Sequence, residues 1–220
     1  FIGSNLVNKL VNSNYKVKAL TFYNKNNNEG NLEFFNLKKK KNLEVISGDI
    51  RDNFFLDDVT KKVDVIFHLA ALISIPYSYI SPKSYIDTNI LGTYNILNSS
   101  KKNKVRKVFI TSTSEVYGTA QKIPINEGHI LNAQSPYAAS KVAADQLSYS
   151  FYKSYGVPIT ILRPFNTFGP LQSNRAILPT IINQIINNKK ILKLGNISPT
   201  RDLTYVEDTI NAFMCAMKTK

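Results

Sequence analysis

Apolar residues follow two alternating patterns along this chain: short continuous runs, and stretches where they return every three to four positions. In residues 2–13, Ile2, Leu6 and Leu10 stand at i, i+4 and i+8, the spacing that lines one face of a helix. Lys16–Phe22 follows as a strand after Asn14, and Glu44–Ser47 is the next. Val63–Ala70 and Lys107–Ser112 have near-continuous apolar centres, as strands covered on both faces do, and a helix over 84–103 lies between them. Pro136–Tyr155 reads as one long helix, with the strand Pro158–Arg163 after it. Strands alternating with helices mark βαβ units and a parallel sheet, so the predicted class is α/β. Beyond Pro164 the texture shifts to Asn, Gly, Pro and Gln before a helix near 177–188 bearing Ile177, Ile181 and Ile185, the entry to a second, smaller lobe. Asn24–Asn31 and Lys38–Asn42 are polar, and no internal repeat is visible.

Composition narrows the picture. At 220 residues and 43% hydrophobic content, one sizeable core is affordable. The most apolar runs, 65–76 and 177–186, are interrupted by Pro, Ser, Thr or Asn and fall short of the roughly 20 apolar residues a bilayer demands, so no membrane partner is expected. Phe1 stands where a Met would, followed at once by helix-like sequence; the expectation is a chain without a signal peptide that begins inside a longer gene product. One cysteine, Cys215, forms no internal disulfide, which fits reducing cytoplasm, and two histidines without Cys or paired carboxylates nearby give no metal site. The net charge of +13 is scattered apart from Lys38–Lys41, which reads as a solvated face; without an Arg cluster or a basic strip interleaved with aromatics, nucleic acid is not expected as a partner.

Chemistry enters at Tyr137-Ala-Ala-Ser-Lys141, where a phenol and an ammonium share one helix face, one turn apart. Spacing alone selects nothing, because Tyr79/Lys83 and Tyr149/Lys153 repeat it. Context does: Pro82 interrupts the first of these, and the other lies 12 residues further along the same helix, about 18 Å away. Tyr137 alone stands near a helix start. Ligands of open α/β sheets bind beyond the C-terminal strand ends, so Thr111-Ser-Thr-Ser-Glu115, closing the strand 107–112, should share the crevice with Tyr137. A phenol titrates near pH 10, but a lysine cation and an oxidised nicotinamide beside it favour the phenolate, which then removes a hydroxyl proton as hydride leaves.

With these residues in place the sequence resembles the extended short-chain dehydrogenase/reductase family (NAD-dependent epimerase/dehydratase), in its nucleotide-sugar branch. The resemblance runs through Phe1-Ile-Gly3, Gly48-Asp-Ile-Arg-Asp52, His68-Leu-Ala-Ala71, Asn89-Ile-Leu-Gly-Thr93, Thr113-Ser-Glu-Val-Tyr-Gly118, Ser135-Pro-Tyr-Ala-Ala-Ser-Lys141, Arg163-Pro-Phe-Asn-Thr-Phe-Gly-Pro170, and Arg201-Asp202 with Tyr205-Val-Glu-Asp208. It implies a Rossmann-like doubly wound parallel sheet with the start of a smaller C-terminal substrate lobe. The divisions it implies are a dinucleotide-binding domain over 1–165, part of a substrate lobe over 166–200, and a returning segment over 201–220. It further implies NAD or NADP as cofactor, a nucleotide-sugar substrate and a homodimer built on helices 84–103 and 137–155. By the same resemblance Gly3 is the last glycine of the dinucleotide fingerprint, allowing close packing of helix and strand; the first two glycines are absent. Asp49 and Ile50 flank the adenine, Leu69, Ala70 and Ala71 line the cofactor, and Lys141 also holds the nicotinamide ribose. Asn166 contacts substrate, Arg201 pairs with its diphosphate, and Arg175 substitutes for an arginine that relatives carry where this chain has Leu171.

Glu115 separates two activities within that family. Epimerases need Tyr137, Lys141 and a hydroxyl such as that of Thr113; 4,6-dehydratases add a carboxylate at the position of Glu115 to take the C5 proton. Dehydratases acting on dTDP-glucose carry an Asp just before this Glu; Ser114 stands there here, as in those acting on GDP-mannose, so Glu115 serves as both base and acid. The stretches around Asn166–Pro170 and Pro199–Asp202 look closest to dehydratases acting on nucleotide-linked N-acetylglucosamine in legionaminic-acid-type pathways. The expected activity is a 4,6-dehydratase, with a 4-epimerase and a non-catalytic cofactor-binding protein as alternatives. Plainer roles exist for single residues: a solvated loop acid for Glu115, a surface ion pair with Asp202 for Arg201, a core position for His68, and packing for the isoleucines of 177–186. No acid follows the second strand at Thr21-Phe-Tyr-Asn24 to bind a ribose, which leaves NAD against NADP open, with Lys25 a candidate partner for a 2′-phosphate.

Overall fold

The computed structural model describes residues 1–26, 28–37 and 40–219. In chain order the elements are α1 (Ile2–Asn12), β1 (Val17–Phe22), β2 (Leu43–Gly48), α2 (Asn53–Val59), β3 (Val65–His68), α3 (Ile75–Ile80), α4 (Pro82–Tyr85), α5 (Gly92–Lys102), β4 (Lys107–Thr111), α6 (Pro136–Tyr155), β5 (Ile159–Leu162), β6 (Asn166–Phe168), α7 (Ile177–Ile186), β7 (Leu203–Tyr205) and α8 (Val206–Lys218). Two 3₁₀ turns, Gly30–Phe34 and Ser114–Tyr117, and a π turn, Ile86–Leu91, lie between them. Of the lysine run, Lys38 and Lys39 lie outside the described residues, while Lys40 and Lys41 are exposed.

The chain divides into two compact units. The larger one holds residues 20–23 and 47–164, and its centre is a parallel sheet in the order β3-β4-β5. Register aligns Val65 with Lys107 and Val108 with Ile159. Val108, Phe109 and Ile110 of the middle strand are wholly buried, so the strand presents apolar side chains to both faces, as its continuous apolar run predicts. Each such side chain contributes roughly 1.5–3 kcal/mol by leaving water. Ile96 and Leu97 of α5 and Phe151 of α6 complete the core around it.

Local chemistry fixes the helix ends. Ser135 accepts the Ala138 N–H at 3.0 Å and Pro136 occupies the first turn, while Gly156 ends α6 in the left-handed conformation at φ 68°. The 20 residues of α6 therefore match the predicted span. The predicted helix 84–103 is instead composite. α4 begins on Pro82, Ile86–Leu91 widens into the π turn, and only Gly92–Lys102 is regular α-helix. α2, α3 and α8 were not expected from the pattern. The first two are 7 and 6 residues long and depend on caps, Asp52 accepting the Phe55 N–H and Ser74 the Tyr77 N–H.

The smaller unit comprises residues 1–19, 24–46 and 165–219. Within it α8 packs on α1, burying Ile210 and Phe213 from one side and Leu6, Leu10 and Val11 from the other. β6 and β7 run parallel, with Asn166 opposite Leu203. α7 buries none of its residues. Among the described residues no helix is long and apolar enough to cross a membrane.

Candidate active site

At the C-terminal end of β4 the chain stays tied to the neighbouring strand: the Ser112 N–H donates to the Leu162 carbonyl at 2.7 Å and that of Ser114 to the Pro164 carbonyl at 3.2 Å. Thr113 then caps the Ser114–Tyr117 turn, its hydroxyl accepting the Glu115 N–H at 3.2 Å. Thr113, Ser114 and Glu115 are thereby held half-buried on a short turn just beyond a fully buried strand.

Tyr137 stands in the first turn of α6, 7% exposed. Burial pushes its phenol above the ordinary value; a hydrogen bond with Thr113 pulls the other way, and the Glu115 carboxylate adds to the rise. The phenol is thus influenced by both Thr113 and Glu115. The ring packs edge-on against Tyr85, centroids 6.2 Å apart.

Lys141 follows one turn later, 4% exposed, and its Nζ donates to the Thr111 carbonyl at 2.5 Å. Burial lowers it to about 8, opposed by the Asp145 carboxylate. The Lys141 ammonium bonds the end of β4, and burial is the largest influence on Tyr137, making its phenol a weaker acid than free tyrosine.

Two further groups brace this pair. Asn89, buried in the π turn, donates Nδ2 to the Leu72 carbonyl and to the Ser140 hydroxyl, both at 2.9 Å, while its Oδ1 accepts the Leu72 N–H at 2.8 Å. Ser140 in turn donates to the Tyr137 carbonyl at 2.7 Å. One amide thus ties the loop after β3 to the helix carrying Tyr137. Behind Lys141, Arg163 donates Nε to Asp145 at 2.9 Å and Nη1 to the Tyr117 hydroxyl at 3.0 Å. The sequence reading assigned none of these roles. Asn89, Tyr117, Ser140 and Arg163 lie in the motifs that carry the resemblance, without an assigned role, and Asp145 is a carboxylate on the Tyr137/Lys141 stripe of α6.

His68 is a core side chain: its Nε2 lies 3.0 Å from the Thr93 hydroxyl, and burial with the Lys141 charge lowers it to about 3, so it is neutral at pH 7.

The expected cofactor residues divide. Leu69 and Ala71 are half-buried and Ala70 exposed, in the loop that Asn89 holds at Leu72. Asp49 is engaged through both carboxylate oxygens by Arg51, which holds it below its usual range. The side chain of Ile50 lies in the core, where a Cβ on Gly92 would come within 2.5 Å of it. At Gly3 an added Cβ meets nothing within 4 Å among the described residues. In the smaller unit Asn166 is half-buried in β6, Arg175 is exposed, and exposed Arg201 donates Nη1 to the adjacent Thr200 carbonyl at 2.8 Å.

Comparison with known proteins places these features in a family. A dTDP-D-glucose 4,6-dehydratase of Dictyostelium discoideum is 34% identical over 97% of this chain, and this chain spans about half (52%) of that relative's length. A putative UDP-glucose 4-epimerase of Methanocaldococcus jannaschii is 34% identical over the whole chain and 71% of its own. Among solved structures, a UDP-N-acetylglucosamine 4-epimerase of Methanobrevibacter ruminantium M1, crystallised with UDP-N-acetylmuramic acid, superposes with a TM-score of 0.91 at 33% identity, covering 100% of this chain and 70% of that one. The dTDP-glucose 4,6-dehydratase DesIV of Streptomyces venezuelae, crystallised as a double mutant with NAD, gives 0.91 at 27% identity, covering 99% and 69%. The family profile described as GDP-mannose 4,6 dehydratase matches residues 1–220, and the chain belongs to that family, within the NAD-dependent epimerase/dehydratases.

Proposed function

We propose that the protein is an NAD(P)-dependent nucleotide-sugar 4,6-dehydratase. The observation that carries this reading is Glu115, a carboxylate held on a capped turn within electrostatic reach of Tyr137. A dinucleotide site in the larger unit is supported by the 69–71 loop, whose residues are partly exposed and which Asn89 holds at Leu72, and by Lys141, buried beside the strand end. When bound, a nicotinamide supplies a hydride acceptor for C4 and later a hydride donor for C6.

The protein's own groups then move protons. Tyr137 takes the C4 hydroxyl proton, with Thr113 orienting the phenol; its raised pKa makes it the stronger base once ionised. Oxidation at C4 acidifies the C5 proton, which Glu115 removes and delivers to the departing C6 hydroxyl, releasing water. The proton held by Tyr137 returns to C5 by way of Glu115, which restores both side chains. Asn166, Arg175 and Arg201 are proposed to meet the nucleotide sugar. A homodimer is proposed through α5 and α6, on the support of Tyr94, Tyr149 and Tyr152, large side chains left exposed on those helices.

The test is incubation of the full-length protein with UDP- or GDP-linked N-acetylglucosamine. A 4-keto-6-deoxy product, lighter by one water in the mass spectrum, is expected; a 4-epimer of unchanged mass refutes the dehydratase. The second reading, a 4-epimerase, is favoured by the archaeal relatives. Glu115→Gln distinguishes the two, because an epimerase retains its turnover and a dehydratase loses at least about 100-fold.

A further inference from the structure

Arg163 and Pro164 hold the turn that carries Glu115 at both of its ends. Where the turn begins, the Pro164 carbonyl accepts the Ser114 N–H at 3.2 Å. Where it ends, the Tyr117 hydroxyl accepts Nη1–H of Arg163 at 3.0 Å, and the guanidinium carbon stands 5.3 Å from the centre of the Tyr117 ring, which is 3% exposed. The same guanidinium is anchored on α6, its Nε donating at 2.9 Å to Asp145, a carboxylate 1% exposed. A further strut comes from the segment before α6: the Asn132 N–H donates to the Val116 carbonyl at 2.8 Å, and Gly118 takes a φ of 62°, where a Cβ would collide with the Asn132 carbonyl. Among the described residues the Glu115 carboxylate has no hydrogen bond of its own, so the backbone of this turn decides where it stands.

We propose that Arg163 is a positioning residue for Glu115: anchored on Asp145, it grips Tyr117 and so fixes the turn from which the Glu115 carboxylate reaches the substrate. The inference rests on reading Glu115 as the group that takes the C5 proton. Stability alone is a weak reason for the arrangement, since well-packed apolar residues of similar volume often serve as well as a buried ion pair or better. The geometry also asks for arginine in particular. Its planar fork directs separate N–H groups at a carboxylate on one element and a phenol on another, which the single ammonium of a lysine does not match. C4 oxidation depends on other supports. Tyr137 and Lys141 stand on α6, and Thr113, ahead of the turn, keeps the backbone bonds of Ser112 to Leu162 and of Ser114 to Pro164 on either side of it. Loss of the grip on Tyr117 therefore frees the turn at its far end, where it displaces Glu115 and spares the phenol that begins the reaction.

The experiment compares the full-length protein with Tyr117→Phe, which deletes the gripped hydroxyl and leaves Arg163 on Asp145. Without substrate, amide hydrogen exchange followed by NMR should quicken at least about 10-fold at Glu115, Val116 and Gly118, with Val108 and Ile110 of β4 unchanged. With UDP- or GDP-linked N-acetylglucosamine and NAD or NADP, stopped-flow absorbance of the reduced nicotinamide reads C4 oxidation, and mass loss of one water reads elimination. Oxidation should stay within about twofold of the parent rate while elimination falls at least about 10-fold. Arg163→Lys should reproduce both changes, and Tyr117→Phe decides if that variant does not fold. Unchanged exchange at the turn, or exchange quickened alike in β4, overturns the proposal, as does an equal fall in the two steps. If the turn amides quicken but even the parent releases no water from any nucleotide sugar, the reading of Glu115 fails and the hold of Arg163 on the turn stands.

Discussion

Lys141 and His68 approach the end of the parallel sheet from different elements, and burial disfavours the charged form of each. His68 drops from 6.5 to about 3 on folding, so the unfolded chain binds the extra proton between those values. Stability should therefore fall as pH drops from 6.5 towards 3, by up to about 5 kcal/mol. Urea unfolding at pH 7 and pH 4 checks this, with His68→Gln expected to flatten the difference. Lys141, lowered from 10.5 to about 8, costs stability below pH 8, and that cost is relieved as pH rises from 8 to 10.5. Lys141→Met should accordingly melt higher than the parent at pH 7 while losing turnover, an outcome that calorimetry and a product assay test together. At this scale the Tyr137/Lys141 pair was legible because one helix sets both positions. The roles of Asn89 and Asp145 were not, since their partners Leu72, Ser140 and Arg163 come from distant parts of the chain, and a hydrogen bond between such residues leaves no periodicity.

Among the elements, α6 was the most legible because its limits are written in local chemistry: Ser135 and Pro136 at one end, Gly156 at the other. Replacing that cap, Ser135→Ala, should cost about 1 kcal/mol in urea unfolding. It should lower kcat as well, because the first turn it secures carries Tyr137. The buried strands β3, β4 and β5 were legible for a different reason, their unbroken apolar runs. α2 and α3 escaped because neither is long enough to repeat its apolar face, and each exists through a single cap and the surface it covers. α8 does show a readable face in Val206, Ile210 and Phe213, so its omission was a missed pattern rather than a missing signal. The composite helix before α5 was predicted as regular because a π turn leaves the apolar count almost unchanged.

For the whole molecule, the α/β class followed from alternation alone, and the units differ in how densely they are packed. Residues 187–202 are exposed throughout, and α7 before them buries nothing, leaving Ile182 and Ile186 in solvent. Trypsin should therefore cut first after Lys189, Lys190, Lys193 or Arg201, whereas Lys107 in β4 resists until global unfolding. Mass mapping of early fragments tests this, and first cleavage within residues 136–162 would contradict it. What the chain's pattern did not convey at this scale was the pairing of α1 with α8, which joins segments nearly 200 residues apart.

The π turn at Ile86–Leu91 has a consequence for how the chain tolerates change in length. Such a turn is an α-helix with one residue inserted, and each residue advances an α-helix by about 100°. Deleting Thr88 would restore regular winding, and everything downstream would rotate by that angle: Ile96 and Leu97 would swing away from the sheet, or Asn89 would swing away from Leu72. Substitutions here can be absorbed one side chain at a time, but a single-residue gap cannot, so this short stretch is where the family's alignment should be free of deletions.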